Sequence, residues 1–186
     1  MKAGLQLGVN PKWKRQINDF YATNPKALEL FLGRIDFKLN QNLWECSCGE
    51  GHLSKKLLKK GYSVTSSDLI NRGFGEVKDF LKEEGIFIGD IITNPPFKLA
   101  EQFVEKAHNL LCNGNRLILF LKIQFLEGQR RKKLFDKYPL KEVYCHSARQ
   151  LCSRNGDFEN YKATTQFYAW FIWEKGFKGE TKLKWI

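Results

Sequence analysis

The chain of 186 residues has no apolar run near the roughly 20 that a membrane-spanning helix needs. Its longest, Leu117 to Leu126, is interrupted by Lys122 and Gln124. The opening MKAGLQLGVNPKWK lacks the apolar centre of a secretory signal, so a cytoplasmic location is expected. Cysteine is scarce and irregularly spaced. There are five, and after Cys46 and Cys48 no second ligand pair follows, so neither a disulfide framework nor a metal site is expected. The phosphate-binding Gly-Lys-Ser/Thr signature is missing, and so is the longer Gly-x-Gly-x-x-Gly dinucleotide fingerprint, since positions 49, 51 and 54 read Gly, Gly, Ser. These absences disfavour nucleoside triphosphates and dinucleotides. The three histidines, His52, His108 and His146, have no nucleophile or ligand partner at a useful spacing and receive no role. Negative charge is the scarcer sign: 20 acidic residues against 31 Lys and Arg leave a net charge of +11. Such a surplus attracts polyanions, nucleic acid before membrane.

What is present is a globular composition, 42% hydrophobic, of a length that suits one domain over residues 1–186. Thr23 or Asn24 can cap a helix with Pro25 in its first turn and Ala27, Leu28, Phe31 and Leu32 on its apolar face. Residues 42–46 read as a strand, Gly49-Glu50-Gly51 as a turn, and 52–60 as a helix with Leu53, Leu57 and Leu58 on one side. A second strand over 62–67 ends at Asp68. Further strands are expected at 87–93 and 116–121, with a helix from Leu99 to Cys112 between them. Residues 130–138 read as a helix, and 140–146 and 165–174 as two closing strands. The alternation predicts an α/β fold, an open and mostly parallel sheet with helices on both faces and an antiparallel finish.

Several motifs fall where such sheets bind ligands, outside the carboxyl ends of their strands. Glu45 ends the first strand before the Gly-x-Gly turn, where it can receive a ligand's ammonium or orient the loop. Asp68 ends the next strand, where a carboxylate can accept both hydroxyls of a ribose. Asp79-Phe80 pairs an acid with an aromatic, a combination that can hold an adenine. The pocket therefore suits a nucleoside without a phosphate chain. Then comes Asn94-Pro95-Pro96-Phe97. Two prolines cannot continue a ladder, so they fix a stiff turn at the strand's end. The Asn94 amide oxygen and the Pro95 carbonyl are two acceptors that can hold one planar amine, and Phe97 can stack on the ring that carries it.

In these motifs the chain resembles the S-adenosylmethionine-dependent amino-methyltransferases, specifically the N6-adenine DNA methyltransferases of small phage and prophage type. Phe20-Tyr21-Ala22-Thr23-Asn24-Pro25 is similar to the family's N-terminal Y-x-T-P element, which implies that Tyr21 and Thr23 serve the cofactor's methionine end. Glu45, Cys46, Gly49 and Gly51 resemble its cofactor loop, Asp68 its ribose-binding acid, and Asp79 with Phe80 its adenine-binding pair. Asn94 to Phe97 resemble its catalytic D/N/S-P-P-Y/F/W. The resemblance implies a class I (Rossmann-like) fold, S-adenosyl-L-methionine as cofactor, and methyl transfer to an exocyclic amine, adenine N6 in DNA first. Cytosine N4, RNA adenine, a protein glutamine amide and a non-catalytic nucleic-acid-binding module stand as alternatives. Little chain is left over for a target-recognition domain.

Basic residues that can neutralise phosphate occur as the run Arg130, Arg131, Lys132 and Lys133. Arg149, Arg154 and Lys162 follow, interleaved with the aromatics Phe158 and Tyr161. Lys122 and Gln124, at the end of the strand after the catalytic turn, are further candidates for substrate contact.

Overall fold

The computed structural model describes residues 21–150, 152–154, 158 and 165–186. Phe20, Tyr161 and Lys162 of the sequence motifs lie outside the described residues. The elements run in the order β1 Tyr21–Thr23, α1 Pro25–Leu32, β2 Asn42–Glu45, α2 His52–Lys59, β3 Ser63–Asp68, β4 Glu76–Val77, β5 Asp90–Thr93, α3 Ala100–Leu110, β6 Arg116–Lys122, α4 Gln129–Lys137, β7 Leu140–Cys145, β8 Cys152–Arg154, β9 Tyr168–Glu174 and β10 Lys182–Trp185. Short 3-10 turns follow Asp79, Pro96 and Lys122.

The main sheet has eight strands in the order β10-β7-β9-β6-β5-β2-β3-β4. The pairs from β4 to β6 are parallel, and β9 enters antiparallel between β6 and β7. Both faces of the sheet are covered, which is why its central strands read as near-continuous apolar runs: all of β5 is buried, as are Leu117 to Leu121 of β6. On one face α3 and α4 bring Phe103, Val104, Ala107, Leu110 and Leu134 onto Trp44, Ile91, Leu119 and Trp173. On the other, α1 and α2 bring Leu28, Phe31, Leu53 and Leu57 onto Leu43, Ile92, Phe120 and Trp170. The cap of α1 falls on Asn24, whose Oδ1 accepts from Lys26 N–H at 2.9 Å, with Pro25 just inside the helix.

Three features depart from the sequence reading. The strand expected over 87–93 begins only at Asp90; Phe87 forms an isolated bridge to Leu111, and Ile86 and Ile88 are exposed. A tenth strand, β10, extends the sheet parallel to β7. And β8, inside the connection from β7 to β9, pairs antiparallel with β1 in a separate two-stranded ribbon, Tyr21 opposite Arg154 and Thr23 opposite Cys152. Strands of three or four residues carry too few alternations for a period to be read. Among the described residues no helix is long and apolar enough to cross a membrane, and no group of three or more His, Cys, Asp or Glu is placed to hold a metal ion.

Candidate active site

The turn Asn94-Pro95-Pro96-Phe97 leaves the carboxyl end of β5 and enters a 3-10 turn in which Leu99 N–H donates to the Pro96 carbonyl at 2.8 Å. Asn94 Nδ2 donates to the Tyr21 carbonyl at 2.8 Å. Only the amide nitrogen can donate to a carbonyl, so this bond fixes the side chain's orientation. Its Oδ1 is then left buried without a partner. A buried acceptor in that condition costs about 1–3 kcal/mol unless something donates to it. Pro95 is buried and Pro96 exposed.

Phe97 lies at the edge of the sheet, half-buried and in contact with both cores. Lys122 Nζ stands 5.2 Å from its ring centre, and the Tyr168 ring 6.1 Å. Lys122 and Tyr168 are register partners across β6 and β9. Behind them Cys152 and Thr23 close the site from the β1–β8 ribbon. Burial pushes the Cys152 thiol up to about 12 and the Tyr168 hydroxyl well above its ordinary range, so both are neutral donors at physiological pH. Cys152 bonds to the Tyr168 and Thr23 side chains; both ring nitrogens of His146 are buried without hydrogen-bond partners, and burial lowers its imidazole to about 4. Nothing local in the sequence singles out Cys152 or Tyr168, because strand pairing brings them here; His146, just beyond β7, meets the Phe120 ring at 5.9 Å.

The glycine turn lies beside this site, at the ends of β2 and β3. Asp68 Oδ2 accepts from Gly49 N–H at 2.8 Å and Oδ1 accepts from Ile70 N–H at 3.0 Å. Each carboxylate oxygen keeps a second lone pair, so Asp68 can still receive hydroxyls while holding the loop. Glu45 is bonded to α2 behind the loop. It is 2% exposed; Ser54 N–H, at the start of α2, donates to its Oε2 at 2.7 Å, and the Ser54 hydroxyl bonds the same atom. Burial, and then the negative charge of Asp68, push its carboxyl up to about 8. Cys46 is buried beside it.

Gly51 is fixed by its neighbour. Its φ is +78°, and a Cβ there would fall 2.3 Å from Cδ1 of Phe74. The space a side chain would fill is taken by the Phe74 ring, which also carries Lys55 Nζ 4.9 Å from its centre. Gly75 is pinned likewise, between the Ser66 carbonyl and Cys48 Sγ. Asp79 is half-buried, capping its turn through Leu81 N–H at 3.1 Å with Lys82 at 3.6 Å. Phe80 packs into the core at 2% exposure, 4.8 Å from Phe103 and 5.3 Å from Trp44, so of this pair only the acid reaches the surface.

The basic candidates divide. Arg130 and Arg131 both pair with Glu101, at 2.7 and 3.7 Å, and Lys132 with Asp136 at 2.8 Å. Arg131 also donates to the Gln124 carbonyl and lies over Phe125. Lys133 and Gln124 are exposed. Arg149 is exposed over the Phe167 ring, and Arg154 lies opposite Tyr21 in the ribbon. Phe158 reaches the His52 ring at the start of α2, 5.4 Å away.

No protein-family profile matches the chain. Among curated proteins it is similar to ribosomal RNA small subunit methyltransferase A of Borreliella burgdorferi, 27% identical over 103 residues that make up 46% of this chain. The chain spans only 37% of that protein's length. Among solved structures it superposes on a Listeria monocytogenes protein assigned to the class I S-adenosylmethionine-dependent methyltransferases, with a TM-score of 0.62 at 14% identity, covering 88% of this chain and 65% of that one. The fold is that of the class I methyltransferases. The parallel sheet with one antiparallel strand inserted before its last members agrees with that fold and with the sequence expectation. A second structure, the 1,6-didemethyltoxoflavin-N1-methyltransferase of Burkholderia thailandensis, superposes at a TM-score of 0.54 and 12% identity, covering 81% of this chain and 75% of that one. It carries S-adenosylhomocysteine. The expected cofactor is thus the one these relatives use.

Proposed function

We propose that the protein transfers a methyl group from S-adenosylmethionine to the exocyclic amine of a nucleic-acid base, adenine N6 in DNA first. The observation that carries this reading is the buried, unpartnered Oδ1 of Asn94, aimed by the bond to Tyr21 in the same turn that carries Phe97. An acceptor so placed, with an aromatic face next to it, matches a planar amine on a flat ring. When bound, S-adenosylmethionine supplies an electrophilic methyl for an in-line displacement. Asp68 would hold its ribose, and the loop that Asp68 and Glu45 order would line the rest. Asn94 would accept from the amine and draw its lone pair out of conjugation. Phe97 would hold the base, which must leave a duplex to reach the turn. The amine's surplus proton would pass to water.

The net charge of +11 favours nucleic acid over a protein amide. RNA adenine is the second reading, favoured by the similarity to a ribosomal RNA methyltransferase. Incubation with isotope-labelled cofactor and DNA, RNA or protein, followed by mass spectrometry of the hydrolysed products, tests both. N6-methyladenine from DNA is expected. The label in N4-methylcytosine would move the target, and label only in protein would end the nucleic-acid reading.

A further inference from the structure

We infer that the lysines of α1 and α2 form a docking face for the phosphate backbone of double-stranded DNA flanking the target base. This rests on the proposed nucleic-acid substrate, but its test reads binding and not methyl transfer. The basic run on α4 is the obvious candidate in the sequence, yet the fold spends much of its charge internally. Among the described residues, carboxylates engage three of its four cations, Arg130, Arg131 and Lys132. On α1, α2 and the Lys60 cap of α2, carboxylates engage one of five lysines: Lys56 pairs with Glu29.

Of the others, Lys26, Lys59 and Lys60 project into solvent, and Lys55 is also exposed. They form one patch and not separate points, because α1 packs beside α2. Lys56, as hydrogen-bond donor and as charge, then Lys60 and Lys26, together hold the Glu29 carboxyl below its ordinary value. The acids beside these lysines are Glu29 on α1 and Glu50 in the turn before α2; His52 lies on Glu50 at 3.3 Å. Lys55 Nζ is spent on the Glu50 carbonyl and the Phe74 ring.

The patch is also continuous with the active site. Lys26 lies in the first turn of α1, its N–H on the Asn24 cap, and Asn24 directly follows the strand whose Tyr21 carbonyl holds Asn94. On α2 and its cap the lysines run from Lys55 to Lys60, about 7.5 Å at 1.5 Å per residue. A duplex presents a charge every ~1.7 Å of its axis, so a face of this length meets several phosphates. Backbone contacts of this kind fix position and carry no sequence information.

The test compares two triple variants of the full chain, K26Q/K59Q/K60Q and R130Q/K132Q/K133Q, with the parent. Affinity for a fluorescent DNA duplex of about 30 base pairs is measured by anisotropy over a range of salt. The α1–α2 variant is expected to lose tenfold or more in affinity at low salt. Its log–log salt slope should fall by about 0.9 per lost phosphate contact, a total of roughly 2 to 3. The α4 variant should lose less. An unchanged slope in the α1–α2 variant, or an equal or larger loss in the α4 variant, overturns the inference. Acetylation footprinting of the parent gives a second reading that needs no variant to fold: the duplex should protect Lys26, Lys59 and Lys60 more than Lys132 and Lys133. Duplex binding through these lysines without methyl transfer would refute the proposed function and leave this surface standing.

Discussion

Asn94 and Tyr21, 73 positions apart in the chain, are joined by a 2.8 Å hydrogen bond from the Asn94 amide nitrogen to the Tyr21 carbonyl. The turn that ends β5 is thereby tied to the β1–β8 ribbon, and the Asn94 oxygen is left facing an empty acceptor's task.

Asn94→Ala should therefore keep cofactor affinity while turnover falls about a hundredfold, the cost of removing one preorganised hydrogen bond to a developing charge. Phe97→Ala should instead raise the apparent substrate KM, since a stacking contact is worth about 1–3 kcal/mol. Single-turnover rates at saturating cofactor separate the two. Transfer by Asn94→Ala at the parent's rate would make Asn94 a turn residue only.

Asp68 holds Gly49 and Ile70 and is assigned the cofactor's ribose. Asp68→Ala is expected to weaken S-adenosylhomocysteine binding tenfold or more, since charged hydrogen bonds contribute about 1.5–3 kcal/mol. Titration calorimetry reads this directly, and an unchanged Kd would remove Asp68 from the site.

Gly51→Ala should destabilise the fold by two separable effects, a side chain at φ +78° and a clash with Phe74. The first costs about 1 kcal/mol and is independent of the neighbour. In a Phe74→Ala background the second disappears, so the substitution should cost less there. Chemical denaturation of the four proteins gives the difference; equal costs in both backgrounds would contradict the packing of Phe74 on Gly51.

Glu45, raised to about 8 from an ordinary 4.5, binds a proton more tightly folded than unfolded. Its contribution to stability is full below about pH 4.5, declines as pH rises toward 8, and is constant above. His146, lowered to about 4, acts with the opposite sign: its contribution is full above about pH 6.5 and is lost as pH falls through 4. The difference in Tm between the parent and Glu45→Gln isolates the first effect, and should change steadily between pH 5 and 8 in the parent's disfavour. A difference independent of pH would mean that Glu45 is ionised in the fold.

The sequence by itself determined the α/β alternation, the helix starting at Pro25, the glycine turn, the acid at the end of β3 and the rigid turn at Asn94. Each rests on local chemistry, on period, caps, φ-restricted residues or the end of a strand, and local chemistry is written in neighbouring residues. The tertiary structure decided the rest. It gave Glu45 to Ser54, Gly51 to Phe74, and Phe80 to the core. It set Glu101 against Arg130 and Arg131, which engages two of the cations of the basic run. It made the ribbon of β1 and β8 that aims Asn94, from two strands of three residues separated by more than half the chain. Pairings over such distances are selected by the packing of whole faces against one another, and no window of sequence contains both partners.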